Sequence, residues 1–107
     1  MNPTTTIPVV VTPEAAARVA ELGMQHELDL MLQHTLEAVP GLRSIEVQLA
    51  LPYDTGDDPR LTIEATTGPD ATGMYQAETE WGIWVINTFP PEVWANFHML
   101  TMPGTTS

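Results

Sequence analysis

The chain has 107 residues and no cysteine, and 14 acidic residues against three Arg give it a formal net charge of −11. This length fits one domain, and the absence of Cys excludes disulfides, thiolate metal sites and thiol nucleophiles. The charge disfavours binding to nucleic acid or an anionic membrane and favours a basic protein partner. A solvated acidic surface, as in salt-adapted proteins, is nevertheless the simpler explanation of the charge.

The two ends of the chain, residues 1–6 and 103–107, are rich in Thr, Pro and Ser, and we expect them to be flexible ends of a single domain that covers 1–107. The sequence contains no apolar run long enough to cross a membrane and no positively charged leader segment. Together with the absence of Cys, these features predict a cytoplasmic protein.

The first third of the chain predicts a short strand followed by helix. Residues 7–11 are mostly β-branched, and Thr12-Pro13-Glu14 is a typical helix start, with a capping hydroxyl and Pro in the first turn. The helical pattern runs to Val39, but its apolar residues change face near Gly23. Either the helix breaks into two at Gly23, or one long helix is apolar on two sides.

The middle of the chain predicts an antiparallel hairpin. Residues 44–51 and 61–66 alternate between apolar and polar side chains, as half-buried strands do. We expect the apolar side chains to form the buried face of the hairpin: Ile45, Val47, Leu49, Leu61 and Ile63. The intervening Asp-, Gly- and Pro-rich residues 52–59 form the hairpin loop.

The last third predicts a helix, a helical turn and a strand. Residues 71–88 carry an apolar stripe at helical spacing, although two Gly and several β-branched residues leave a strand at 81–88 as the alternative. Residues 90–94 predict a short helical turn, and residues 97–102 a final strand. The fold is then a two-layer α+β domain with a small antiparallel sheet covered by helices, which matches the ferredoxin-like order βαββαβ if residues 7–11 are a strand.

Residues 27–100 resemble small uncharacterised bacterial α+β proteins that have an Asp/Gly hairpin loop and a Trp-bearing helix followed by Pro-Pro-Glu. The matching residues are Asp54-Thr55-Gly56-Asp57, Trp81, Trp84 and Phe89-Pro90-Pro91-Glu92-Val93. The resemblance implies the fold. Because some such acidic proteins look like partners of a neighbouring protein, as antitoxins are, it also implies a binding role by analogy.

The candidate acidic loop consists of Asp54, Asp57 and Asp58. Its carboxylates could hold a hard cation, and Asp54-Thr55-Gly56 is also the triplet of dimeric aspartic proteases, but turn chemistry explains the same residues more simply. His34 and Glu37 lie one helical turn apart and form half a metal site at most. We therefore assign no catalytic residue, no metal ligand and no cofactor.

The candidate partner interface follows from the excess of large apolar residues. Three Trp fall within 81–94, and they either fill the core or anchor an interface. The interface residues that we predict are Met24, Leu28, Met31, Trp81, Trp84 and Trp94. The sequence favours a non-catalytic interaction protein, homodimeric and either antitoxin-like or an accessory subunit. A small-molecule-binding or sensory domain and a small enzyme are the alternatives.

Overall fold

The computed structural model describes residues 7–50, 59–69 and 71–104. They form four strands and four helices in the order β-α-α-β-β-α-α-β. The elements are β1 (Val9–Val11), α1 (Pro13–Leu22), α2 (Gln25–Ala38), β2 (Leu42–Ala50), β3 (Arg60–Thr67), α3 (Met74–Thr88), α4 (Pro91–Trp94) and β4 (Phe97–Pro103). None of the described helices is both long and apolar enough to span a membrane.

The sheet has the spatial order β1-β2-β3-β4. It is mixed, which corrects the predicted antiparallel sheet: β2 and β3 are antiparallel, whereas β1 pairs with β2, and β3 with β4, in parallel. The reason is that helices connect the strands of each parallel pair and return the chain to the same end of the sheet. The chain order fits the ferredoxin-like succession, but here the parallel partners lie side by side and are not separated by a third strand.

The antiparallel pairing of the two predicted hairpin strands is confirmed, whereas residues 52–58 of their predicted loop lie outside the described residues. Ile45 pairs with Ala65, Val47 with Ile63, and Leu49 with Leu61. Ile45, Val47, Leu61 and Ile63 are buried, and Leu49 is partly buried against the same core. Alternation therefore placed both strands and their buried face correctly, since successive side chains of a strand point to opposite faces.

Of the two alternatives for residues 13–39, the structure shows the break at Gly23, which separates two helices. Thr12 accepts a hydrogen bond from the Ala15 N–H at the start of α1, and Gly23 ends α1 with a left-handed backbone (φ 67°). Each helix then buries its own face, which explains why the apolar pattern changes phase. The buried residues are Ala15 and Val19 in α1 and Leu28, Met31 and Thr35 in α2.

Residues 74–88 form a helix and not a strand. α3 buries Ala77, Trp81 and Val85, one side chain per turn, and this packing outweighs the low helix propensity of Gly82 and the β-branched residues. β4 continues through Pro103, and the Gly104 N–H still donates to the Thr67 carbonyl at 2.6 Å, so the first residues of the predicted flexible end belong to the sheet. Residues 1–6 and 105–107 lie outside the described residues.

The core lies between the helices and one face of the sheet. Side chains from α1, α2, α3, α4 and all three long strands form one buried cluster, with β1 contributing the partly buried Val11. The other face of the sheet carries half-buried polar residues, among them Glu46, Gln48, Thr62 and Glu64. The two-layer α+β architecture is therefore as predicted.

Candidate functional site

The structure places half of the predicted partner interface inside the protein. Leu28, Met31 and Trp81 are buried members of the core, so they are absent from the surface of the folded chain. Met24, Trp84 and Trp94 are partly buried and pack against that core. For Trp81, the core alternative is thus the one that the structure supports, because its position on α3 faces the sheet and α2. The acidic loop residues Asp54, Asp57 and Asp58 lie outside the described residues.

Trp81 is held in the core by a polar contact with α2. The Trp81 indole N–H donates to the Thr35 hydroxyl at 3.0 Å, and that hydroxyl donates to the Met31 carbonyl at 2.7 Å. Buried polar groups need such partners, and these bonds join α3 to α2 with Trp81 facing α2. This orientation determines which side chains of α3 are left outside.

His34 sits on the surface of the same helix pair. Its ring stacks on the Trp84 indole, with centroids 3.9 Å apart and planes 2° from parallel. Its Nε2 lies 3.1 Å from the nearer carboxylate oxygen of Glu80, a residue 46 positions later in the chain. His34 thus has a carboxylate partner on α3, whereas the sequence analysis had considered only Glu37 beside it. Glu37 lines the same groove as His34 and Glu80.

The outer side of α3 presents a mostly apolar line of side chains that the sequence analysis did not identify. We call Tyr75, Thr79, Ile83 and Ile86 the α3 stripe; they follow each other at helical spacing on the side of α3 opposite Ala77 and Trp81. Tyr75 is 82% exposed, Ile83 58% and Ile86 55%. α3 is thus apolar on two sides, a pattern that in soluble proteins belongs to helices covered on both sides.

Two grooves adjoin the stripe. One, of about 520 Å³, is mostly apolar and is lined by Tyr75, Thr79, Ile83, Trp84 and Asn87, together with Gln76 and Glu80. The other, of about 650 Å³, runs between α2 and α3 and is lined by His34, Glu37, Gln76 and Glu80 among others. Because Gln76 and Glu80 belong to both, the apolar surface passes directly into one that carries carboxylates.

The basic side chains do not form a patch that could bind phosphate. Arg18 lies on α1 within 3.9 Å of Glu21, whereas Arg43 is the second residue of β2 and Arg60 the first residue of β3. In the part of the chain that the structure describes, no three His, Cys, Asp or Glu side chains are grouped as a metal site requires. What the described surface offers is therefore an apolar stripe beside carboxylates.

The α3 stripe could have been found from the sequence. Positions 75, 79, 83 and 86 fall on one side of any helix over residues 74–88. The sequence also allowed a strand over 81–88, and only a helix brings these residues to one side.

Comparison with protein-family models, with curated proteins and with solved structures found no match for this chain.

Proposed function

We propose that this protein is an acidic, non-catalytic interaction domain that binds a basic protein partner through the α3 stripe. The observation that carries the proposal is the exposure of Tyr75, Ile83 and Ile86 along one helix side of a chain whose net charge is −11. Contiguous exposed apolar surface is typical of binding sites, and a Tyr among aliphatic residues is a common anchor.

Charge favours a basic protein as the occupant of this surface. Glu80 and Glu37 line the groove beside the stripe, so an amphipathic helix could place apolar side chains on Ile83 and Tyr75 and basic side chains next to these carboxylates. Nucleic acid is a poorer ligand, because three dispersed Arg residues cannot neutralise a run of phosphates. An antitoxin-like or accessory role in the cytoplasm agrees with this chemistry.

A small-molecule-binding function is the second candidate. The groove between α2 and α3 measures about 650 Å³, within the usual range for ligand sites, and His34, Glu37, Gln76 and Glu80 converge on it. These groups suit a cationic ligand such as an organic amine. Substitution of Glu37 and Glu80 by Gln would remove such binding, whereas substitution of Ile83 would leave it in place.

The test of protein binding compares affinity capture from the native host by three forms of the chain. The double variant Tyr75→Ser/Ile83→Ser removes most of the stripe, and Leu100→Ser, which removes an exposed apolar side chain from β4, is the matched control. We expect the wild type and Leu100→Ser to retain one basic protein that the double variant loses. About 1 M NaCl, where the Debye length is about 3 Å, should weaken its binding.

A titration with the purified captured protein then measures the affinity of each form. Equal affinity of the double variant and the wild type would contradict the proposal. Tight binding of duplex DNA or single-stranded RNA to the chain alone would contradict it too, and would identify nucleic acid as the partner.

A further inference from the structure

β1 leaves one edge of the sheet open. The Pro8 carbonyl accepts from the Ile45 N–H, and the Thr12 N–H donates to the Val47 carbonyl, both at 3.0 Å. In a parallel ladder alternate residues turn their backbone groups to the same neighbour, so the N–H and C=O groups of Val9 and Val11 point away from β2. Within the described ranges 7–50, 59–69 and 71–104, no strand pairs with this side of β1.

The opposite edge of the sheet is closed. The Thr101 N–H and hydroxyl of β4 both donate to the Glu78 carboxylate, at 3.0 and 2.7 Å, and Pro103 has no N–H to offer. Phe97 and Met99 are buried. A charged cap and a proline are standard means by which proteins prevent strand pairing at an edge. The β4 edge of the sheet is therefore blocked against strand pairing, whereas the β1 edge is not.

The residues of the open edge favour pairing with another strand. Residues 7–11 are Ile-Pro-Val-Val-Val, without a charge, and Val9 and Val10 are 39% and 52% exposed. β-branched residues have high strand propensity, and an exposed apolar edge strand is a surface for pairing with another strand. Pro8 fits this arrangement, because its carbonyl and therefore its nitrogen are on the side of β2, so the missing N–H takes no donor from the open edge.

Charge distribution favours a second copy of this chain as the occupant. Residues 7–20 contain one acidic residue, Glu14, although the whole chain has 14. A basic partner would find few carboxylates here, whereas two copies that repel each other elsewhere can approach through residues 7–20, where the single acidic residue is offset by Arg18.

We propose that β1 pairs antiparallel with β1 of a second copy and joins two four-stranded sheets into one of eight strands. Such a contact is isologous, because the same residues meet across a two-fold axis. It goes beyond the proposed function, since it uses a surface remote from the α3 stripe and leaves both stripes of the dimer available. It also differs from the sequence prediction, which placed the homodimer contact on the helix over 24–39, near Trp81 or Trp84, or both.

Val9→Pro tests the backbone contact by sedimentation velocity of the full chain. The substitution removes an N–H that points away from β2, so the pairing of β1 with β2 is kept. We expect the wild type to sediment as a dimer at about 200 µM, and the variant's dissociation constant to rise about tenfold or more, since each dimer loses two backbone donors. Val10→Thr is the control, because it changes the neighbouring side chain and removes no backbone N–H. This variant should remain a dimer.

Val9→Lys provides a second test that keeps the N–H and adds a charge to the edge. It should also dissociate the dimer, while Tyr75→Ser/Ile83→Ser should not, which separates this inference from the proposed function. In the wild-type dimer, hydrogen exchange at the Val9 and Val11 amides should slow as the concentration rises. A monomeric wild type at about 200 µM, or dimers that survive both Val9 substitutions, would overturn the proposal.

Discussion

At the residue scale, Thr35 joins the two central helices through atoms that water does not reach. Its hydroxyl accepts from Trp81 Nε1 at 3.0 Å and donates to the Met31 carbonyl at 2.7 Å, and Thr35 and Trp81 are both buried. Thr35→Val keeps the shape of the side chain but removes the acceptor of the indole N–H. We expect the free energy of unfolding in urea to fall by about 1–3 kcal/mol, because a buried donor is left unpaired.

A double-mutant cycle with Trp81→Phe separates this bond from packing. Without the indole N–H, the Thr35→Val substitution should lose most of its effect, so the two substitutions should be strongly non-additive. If Thr35→Val is neutral in the wild-type background, or if the two effects simply add, the bond does not stabilise the helix pair.

At the element scale, the junction of α1 and α2 depends on a backbone that side chains disfavour. Gly23 has φ 67°, and the Met24 N–H that follows it donates back to the Val19 carbonyl at 3.1 Å. A Cβ at Gly23 would meet no atom within 4 Å, so the effect of Gly23→Ala is conformational. We expect the free energy of unfolding to fall by about 1 kcal/mol, as measured by urea denaturation.

Gly82→Ala is the matched control for this prediction, because it makes the same chemical change within a helix. Gly82 lies in the interior of α3 and a Cβ there also has open space, so alanine should stabilise the protein by about 0.5–1 kcal/mol. If both substitutions change the free energy of unfolding in the same direction, then Gly23 does not require a left-handed backbone that Gly82 lacks.

At the scale of the whole molecule, self-repulsion opposes folding. The net charge is −11, and Glu46 and Glu64 face each other directly across β2 and β3. Raising NaCl from about 0.01 to 0.1 M shortens the Debye length from about 30 to 10 Å. We therefore expect the melting temperature to rise with salt, as followed by circular dichroism.

Glu64→Gln should reduce this salt dependence and stabilise the protein at low salt, because it removes one of two like charges on paired residues. Glu64→Asp keeps the charge and serves as the control. A melting temperature that falls with NaCl would mean that attractive charge pairs outweigh repulsion in the folded chain.

Much of the fold could be predicted from local patterns. Alternation located β2 and β3, the Thr12-Pro13 start located α1, and Pro90-Pro91 located the turn of α4. Of the residues in the predicted interface, Leu28, Met31 and Trp81 are core residues. An apolar stripe shows that one side of a helix is covered, but its periodicity does not tell whether the same chain or another molecule covers it.

What the sequence by itself determined is therefore local: the α+β class, the acidic surface, the hairpin and the possible break at Gly23. These follow from spacing and backbone preference within a few residues. Only the tertiary structure decided the parallel pairing of β1 with β2, the contact of His34 with Glu80 and the exposure of the α3 stripe. These depend on how elements distant in the chain pack against one another, because α3 has two apolar sides and the core could cover only one of them.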